Sequence, residues 1–131
     1  MTRLRLLTLI LYVLLIFFVS SRSGITPPGP DFALKDKVAH FGEYLVLGVL
    51  LFGGIGWTVS RSGLITFLFL FAVGVSVAAL DELLQGYIPG RNMDLFDWFA
   101  DAAGVAVGVT LGVLTGLRAR KRRALGGRSP A

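Results

Sequence analysis

The chain has 131 residues, of which 54% are hydrophobic and only 16% charged, with no cysteine, and a mean hydropathy of +0.74. A soluble domain carries about a quarter charged residues, so this composition excludes an ordinary water-soluble globule; the missing cysteine excludes a disulfide framework and a thiolate metal site. The net charge of +5 belongs to the end of the chain, where Arg118, Arg120, Lys121, Arg122, Arg123 and Arg128 lie within the last fourteen positions. Beside an apolar helix such a cluster reads as an orientation signal against anionic lipid, and no nucleic-acid partner is expected.

Four nearly uncharged intervals, 6–21, 44–60, 62–80 and 102–117, recur along the chain. With their flanks, each approaches the roughly 20 residues a helix needs to cross about 30 Å of hydrocarbon. Helices are the form that satisfies backbone amides there. The first span, about 4–19, follows Arg3 and Arg5 and ends in "SSRSG". That pattern also suits a cleavable signal peptide, but the apolar run is long and lacks an Ala-x-Ala site, which favours a retained helix. Pro27, Pro28 and Pro30 then mark an extended loop.

Spans two (about 38–57) and three (about 63–84) are joined by the short turn "TVSRSG" and are therefore antiparallel neighbours. Span three is expected to stop at Gly86, in left-handed C-terminal geometry, with Pro89 beyond it. Span four covers about 94–117. The expected fold is all-α: a four-helix transmembrane bundle with both termini cytoplasmic, forming a single domain over 1–117 followed by a basic cytoplasmic tail over 118–131. Nine basic residues (Arg3, Arg5, Arg61 and the six of the tail) then face the cytoplasm against four outside, Arg22, Lys35, Lys37 and Arg91. The membrane expected is the bacterial cytoplasmic one.

In span four, Gly104, Gly108, Gly112 and Gly116 recur every fourth residue and line one face. Such a stripe lets another backbone approach closely in lipid. A homo-oligomer through this face is one expectation; contact with Gly74 and Ala78 of span three is the simpler one.

The polar residues fall at one rim under this topology. His40 and Glu43 share a face at the start of span two, with Tyr44 alongside. Asp81, Glu82 and Gln85 end span three, and Asp94, Asp97 and Asp101 open span four. Asp94 and Asp97 suit an N-cap and the macrodipole, whereas Asp101 lies too deep for capping. Asp81 and Glu82 sit at a helix C-terminus, where the dipole disfavours them, so a cation, a proton or Arg91 has to compensate. Arg91 is expected to pair with the acidic clusters or with a phosphate. The candidate catalytic residues are His40, Glu43, Asp81, Glu82, Asp97 and Asp101, and the candidate binding residues Lys37, Tyr44, Gln85 and Arg91.

The segments "DKVAHFGEYLVLG", "DELLQGYIPGR" and "DWFADAAGVAVG" resemble successive signatures of the VanZ-like family of small bacterial membrane proteins, whose named member is associated with resistance to the glycopeptide teicoplanin. The likeness runs over 36–108. Its pattern is matched by Asp36, Lys37, His40 and Tyr44, by Asp81, Glu82 and Gln85, and by Arg91 and Asp97; where the family often has Asn, this chain has Asp101. The resemblance implies the bacterial cell envelope as the setting and carries over no reaction.

A His, several carboxylates and an Arg at headgroup depth point to binding or modification of the polar head of an envelope lipid or glycan precursor. The alternative is a non-catalytic membrane scaffold whose rim is a structural ion-pair network. Ion or proton transport ranks last, because the other halves of the spans lack polar groups. No cofactor is expected; one His with carboxylates would suit Mg, Mn or Ca as a secondary reading.

Overall fold

A computed structural model describes residues 2–22, 34–59 and 62–126, and among these there is no strand. The proline loop with Pro27, Pro28 and Pro30, together with Arg61 and Arg128, lies outside the described residues. Helix α1 spans Thr2–Ser20. Helix α2 covers Lys35–Leu51 and continues through a π turn, Phe52–Gly56, into a last turn, Trp57–Val59. Helix α3 is Gly63–Gln85 and α4 is Leu95–Gly126. All four are long and apolar enough to cross a bilayer.

Two boundaries differ from the sequence expectation. Helix α4 does not stop near 117 but runs on through Arg118, Arg120, Lys121, Arg122 and Arg123 to Gly126, because Arg, Lys, Ala and Leu are strong helix formers and no glycine or proline interrupts them earlier. At the end of α3, Gly86 keeps a right-handed φ of −60°. The left-handed residue is Gly90, φ +83°, in a turn where Arg91 N donates to Ile88 O at 3.1 Å. An alanine at Gly90 therefore costs about 1–2 kcal/mol through the left-handed penalty alone; thermal unfolding in detergent, with Gly42→Ala as a control in open space, should show the loss at Gly90 only.

The glycine stripe of α4 meets α2 in the same chain rather than α3. A Cβ on Gly104 would lie 2.3 Å from Phe41 O, and one on Gly108 2.2 Å from Leu45 O. Gly48 answers from α2, where a Cβ would lie 2.7 Å from Val105 O. Further along, the π turn sets the Phe52 ring over Gly112 and Gly116. Helix α3 joins this pair through Gly74, whose missing side chain leaves room for Val105. Tyr44, Leu47, Leu70, Val105 and Val109 are fully buried at the centre. Leu11, Leu14, Phe18, Leu64, Leu68, Leu80 and Leu83 face outward. Apolar side chains thus cover the exterior, as hydrocarbon solvent allows.

Candidate functional site

Four helix ends converge at one rim: the C-termini of α1 and α3 and the N-termini of α2 and α4. Every buried charged side chain among the described residues lies there: His40, Asp81, Glu82, Asp97 and Asp101. Among the described residues, the other half of the bundle holds one buried polar residue, Thr66.

Helix α4 opens with Asp94, whose Oδ1 accepts from Phe96 N at 2.8 Å and so caps the helix. Its Oδ2 accepts from Lys37 Nζ of α2, and the same ammonium lies 2.6 Å from Asp97 Oδ1. Lys37 therefore ties α2 to the first turn of α4. The Lys37 hydrogen bond, followed by that from Phe96 N, holds the Asp94 carboxyl below its usual value of 3.8. A lowered folded-state value stabilises the fold above the ordinary carboxylate range and is lost as pH falls through the folded value. Acidification below about pH 4 should accordingly destabilise the native chain more than Asp94→Asn, which keeps a capping side chain but cannot titrate; paired unfolding curves across that pH range test this.

One turn deeper, His40 Nδ1 lies 3.0 Å from Asp101 Oδ1 and His40 Nε2 lies 3.9 Å from Asp97 Oδ2. Asp101 is completely buried and His40 is 7% exposed. The imidazole is thus fixed between two carboxylates of α4, an arrangement that orients a ring for proton transfer or for ligation.

Asp81 and Glu82 escape the C-terminal dipole penalty through donors other than Arg91. Ser20 Oγ of α1 donates to Asp81 Oδ2 at 2.8 Å, and Gln85 Nε2 donates to the same oxygen at 3.3 Å. Glu82 Oε2 accepts from Asp94 N at 3.0 Å. Arg91 forms no ion pair with a carboxylate among the described residues; its Nη1 donates to Ser20 O at 2.9 Å. The expected pairing of Arg91 with the acidic clusters is therefore replaced by a tie to the end of α1.

His40, Glu82 and Asp101 come together from α2, α3 and α4: one ligand-capable atom from each lies within 4.8 Å of the others. Tyr44 and Asp81 adjoin them, with the Tyr44 hydroxyl beside the Asp81 carboxylate. Glu43 stands at the edge; its backbone carbonyl accepts from Tyr12 of α1 at 3.0 Å, and its side chain joins no hydrogen bond or ion pair among the described residues. Ser20 and Trp98 belong to the site although sequence reasoning passed over them. For Ser20 the available signal was its place at the end of a span that exits at the same rim.

Several buried polar atoms at the rim have no hydrogen-bond partner, among them Glu82 Oε1, Asp101 Oδ2 and Trp98 Nε1. Outside them, a groove of about 420 Å³ runs between α3 and α4, lined by Glu82 and Asp94 together with Ala79, Leu83, Met93, Leu95 and Trp98. Leu83, Met93 and Leu95 are exposed, so the groove opens sideways between α3 and α4 onto the outer surface of the bundle.

Four bilayer-length helices with their buried charge gathered at one end define a multi-pass membrane protein with a polar pocket near the membrane surface. The chain matches the VanZ/LLP1 family model over residues 5–116 and belongs to that family. No curated protein and no solved structure matches it.

Proposed function

We propose that the rim pocket binds or modifies the polar head of a phosphate-bearing envelope lipid or lipid-linked glycan precursor, in a bacterial cytoplasmic membrane with the rim facing outward and both termini inside. The observation that carries this reading is the sideways groove. Its apolar wall of Leu83, Met93 and Leu95 suits an acyl or prenyl chain, while Glu82 and Trp98 Nε1 meet the head where chain and head join. Arg91 stands on the loop beside the pocket, and its planar guanidinium has donors beyond the one given to Ser20 O. The buried carboxylates accept from sugar hydroxyls, and the His40–Asp101 pair supplies a group able to move a proton. A link to teicoplanin resistance, suggested by the family resemblance, fits this setting.

Lipids and glycan precursors from cells with and without the protein, compared by mass spectrometry alongside teicoplanin susceptibility, test the reading. A shifted lipid or precursor pool is expected with the native chain and not with folded His40→Ala, Glu82→Gln or Arg91→Gln variants. Unchanged activity in all three would exclude it. The scaffold reading has its own support in the satisfied interhelical bonds Ser20–Asp81, Lys37–Asp97 and His40–Asp101; it requires the substitutions to track stability while leaving every lipid and precursor pool unchanged.

A further inference from the structure

We infer that His40, Glu82 and Asp101 form a binding site for one divalent cation, Mn²⁺ or Mg²⁺ in type. Three passes of the chain deliver these ligands to one point, with one donor atom from each within 4.8 Å of the others. Hard divalent cations hold oxygen ligands at about 2.0–2.6 Å, so opposed ligands around one ion stand roughly 4–5 Å apart, and the cluster matches that spacing without rearrangement of the helices.

Unmade bonds give the independent sign of a ligand. Glu82 Oε1 and Asp101 Oδ2 are buried and unpartnered, on side chains whose residues are 6% and 0% exposed. Glu82 has its other oxygen engaged by Asp94 N, and Asp101 Oδ1 faces His40 Nδ1 at 3.0 Å, a contact the cation would replace on taking that nitrogen. The free oxygens are therefore left over after the structural bonds have been made. An unsatisfied carboxylate oxygen in a dry interior is costly, and the two residues that bear them are the ones grouped with His40, where a single cation would relieve both.

Charge leads to the same site. Asp81, Glu82, Asp97 and Asp101 bring four carboxylates into the buried rim. Lys37 is engaged by Asp94 and Asp97, and Arg91 is held by a backbone carbonyl. Asp36, His40 and Asp97 form a second group of similar spacing, but Asp97 Oδ1 lies 2.6 Å from the Lys37 ammonium, which would repel a cation placed there. Carboxylates favour Mg²⁺ or Mn²⁺, and the single imidazole shifts the preference toward Mn²⁺.

The cation also explains how an acidic pocket can receive an anionic head. It would bridge Glu82 and Asp101 to a phosphate oxygen at the inner end of the groove. That bridging role rests on the function proposed above; the presence of the cation does not.

The test is titration of the purified full chain in detergent, without added lipid, by Mn²⁺ electron paramagnetic resonance with Mg²⁺ as competitor. One Mn²⁺ per chain is expected, displaced by Mg²⁺, with affinity weakened about tenfold or more in Glu82→Gln and in Asp101→Asn and unchanged in Asp36→Asn, which removes only the alternative group. Absence of stoichiometric binding by the folded native chain at millimolar Mn²⁺ overturns the inference, as does native-like affinity in both Glu82→Gln and Asp101→Asn. Should either variant fail to fold, a rise in the thermal midpoint of the native chain on Mn²⁺ addition decides in its place: a saturable rise supports the site, and none overturns it. Because no lipid is present, stoichiometric Mn²⁺ binding by a chain that leaves every lipid pool unchanged supports the site while removing the headgroup reading; lipid changes without cation binding do the reverse.

Discussion

Leucine at Gly108 is expected to abolish the folded bundle. A Cβ there would stand 2.2 Å from Leu45 O and 3.0 Å from Gly48 Cα and Val49 N. These neighbours are backbone, so no rotamer change on α2 can make room, and the helices have to separate along their most intimate contact. Overpacking a core commonly costs about 1–3 kcal/mol where side chains can yield; with backbone on the other side, the cost lies at or above the top of that range. Separation here also draws the first turns of α2 and α4 apart, and with them Lys37 from Asp97 and His40 from Asp101. Gly108→Ala should show a large loss and Gly108→Leu no cooperative unfolding transition at all. Gly42→Ala and Gly53→Ala, where nothing lies within 4 Å, should be neutral or stabilising, since alanine is favoured over glycine in helices by about 0.8–1.0 kcal/mol. Thermal melts and size-exclusion profiles in detergent separate these outcomes.

The second large effect is expected at the buried His40–Asp101 pair. Removing one member strands the other in a site that water does not reach; breaking such a buried pair typically costs about 3–5 kcal/mol. His40→Leu and Asp101→Leu should each approach that loss in reversible unfolding. The double variant should lose clearly less than the two single losses together, because no unpartnered group remains from the pair. Additive losses would mean that the two side chains do not depend on one another. All three variants should also lose the lipid or precursor change proposed for the native chain.

Much of this was readable in the chain itself, for identifiable reasons. The four spans follow from runs of apolar residues, which hydrocarbon demands of any helix crossing it. The gathering of His40, Asp81, Glu82, Asp97 and Asp101 at one rim follows from their positions near helix ends once the spans alternate in direction. What sequence could not supply was which helix faces which. The repeat Gly104, Gly108, Gly112, Gly116 marks a face made for close approach but says nothing of its partner, and the answering feature on α2 is a single glycine, Gly48, followed by the bulky Phe52. Ser20 looks like an ordinary serine at a helix end, because its partner Asp81 is 61 residues away. The π turn at Phe52–Gly56 leaves no periodic signature beyond a glycine-rich run. The left-handed turn residue fell on Gly90 rather than Gly86 because Gly86 caps α3 in right-handed geometry and the chain reverses four residues later.

The chain contains no cysteine, so pairs introduced at Ser20 with Asp81, and at His40 with Asp101, can be cross-linked in native membranes by an oxidant or a short bifunctional thiol reagent. If ends of all four helices share one polar pocket, Ser20→Cys with Asp81→Cys and His40→Cys with Asp101→Cys should both give intramolecular cross-links, while Ser20→Cys with Arg118→Cys, at opposite ends of the bundle, should not. Folded protein in which neither rim pair cross-links would contradict the account.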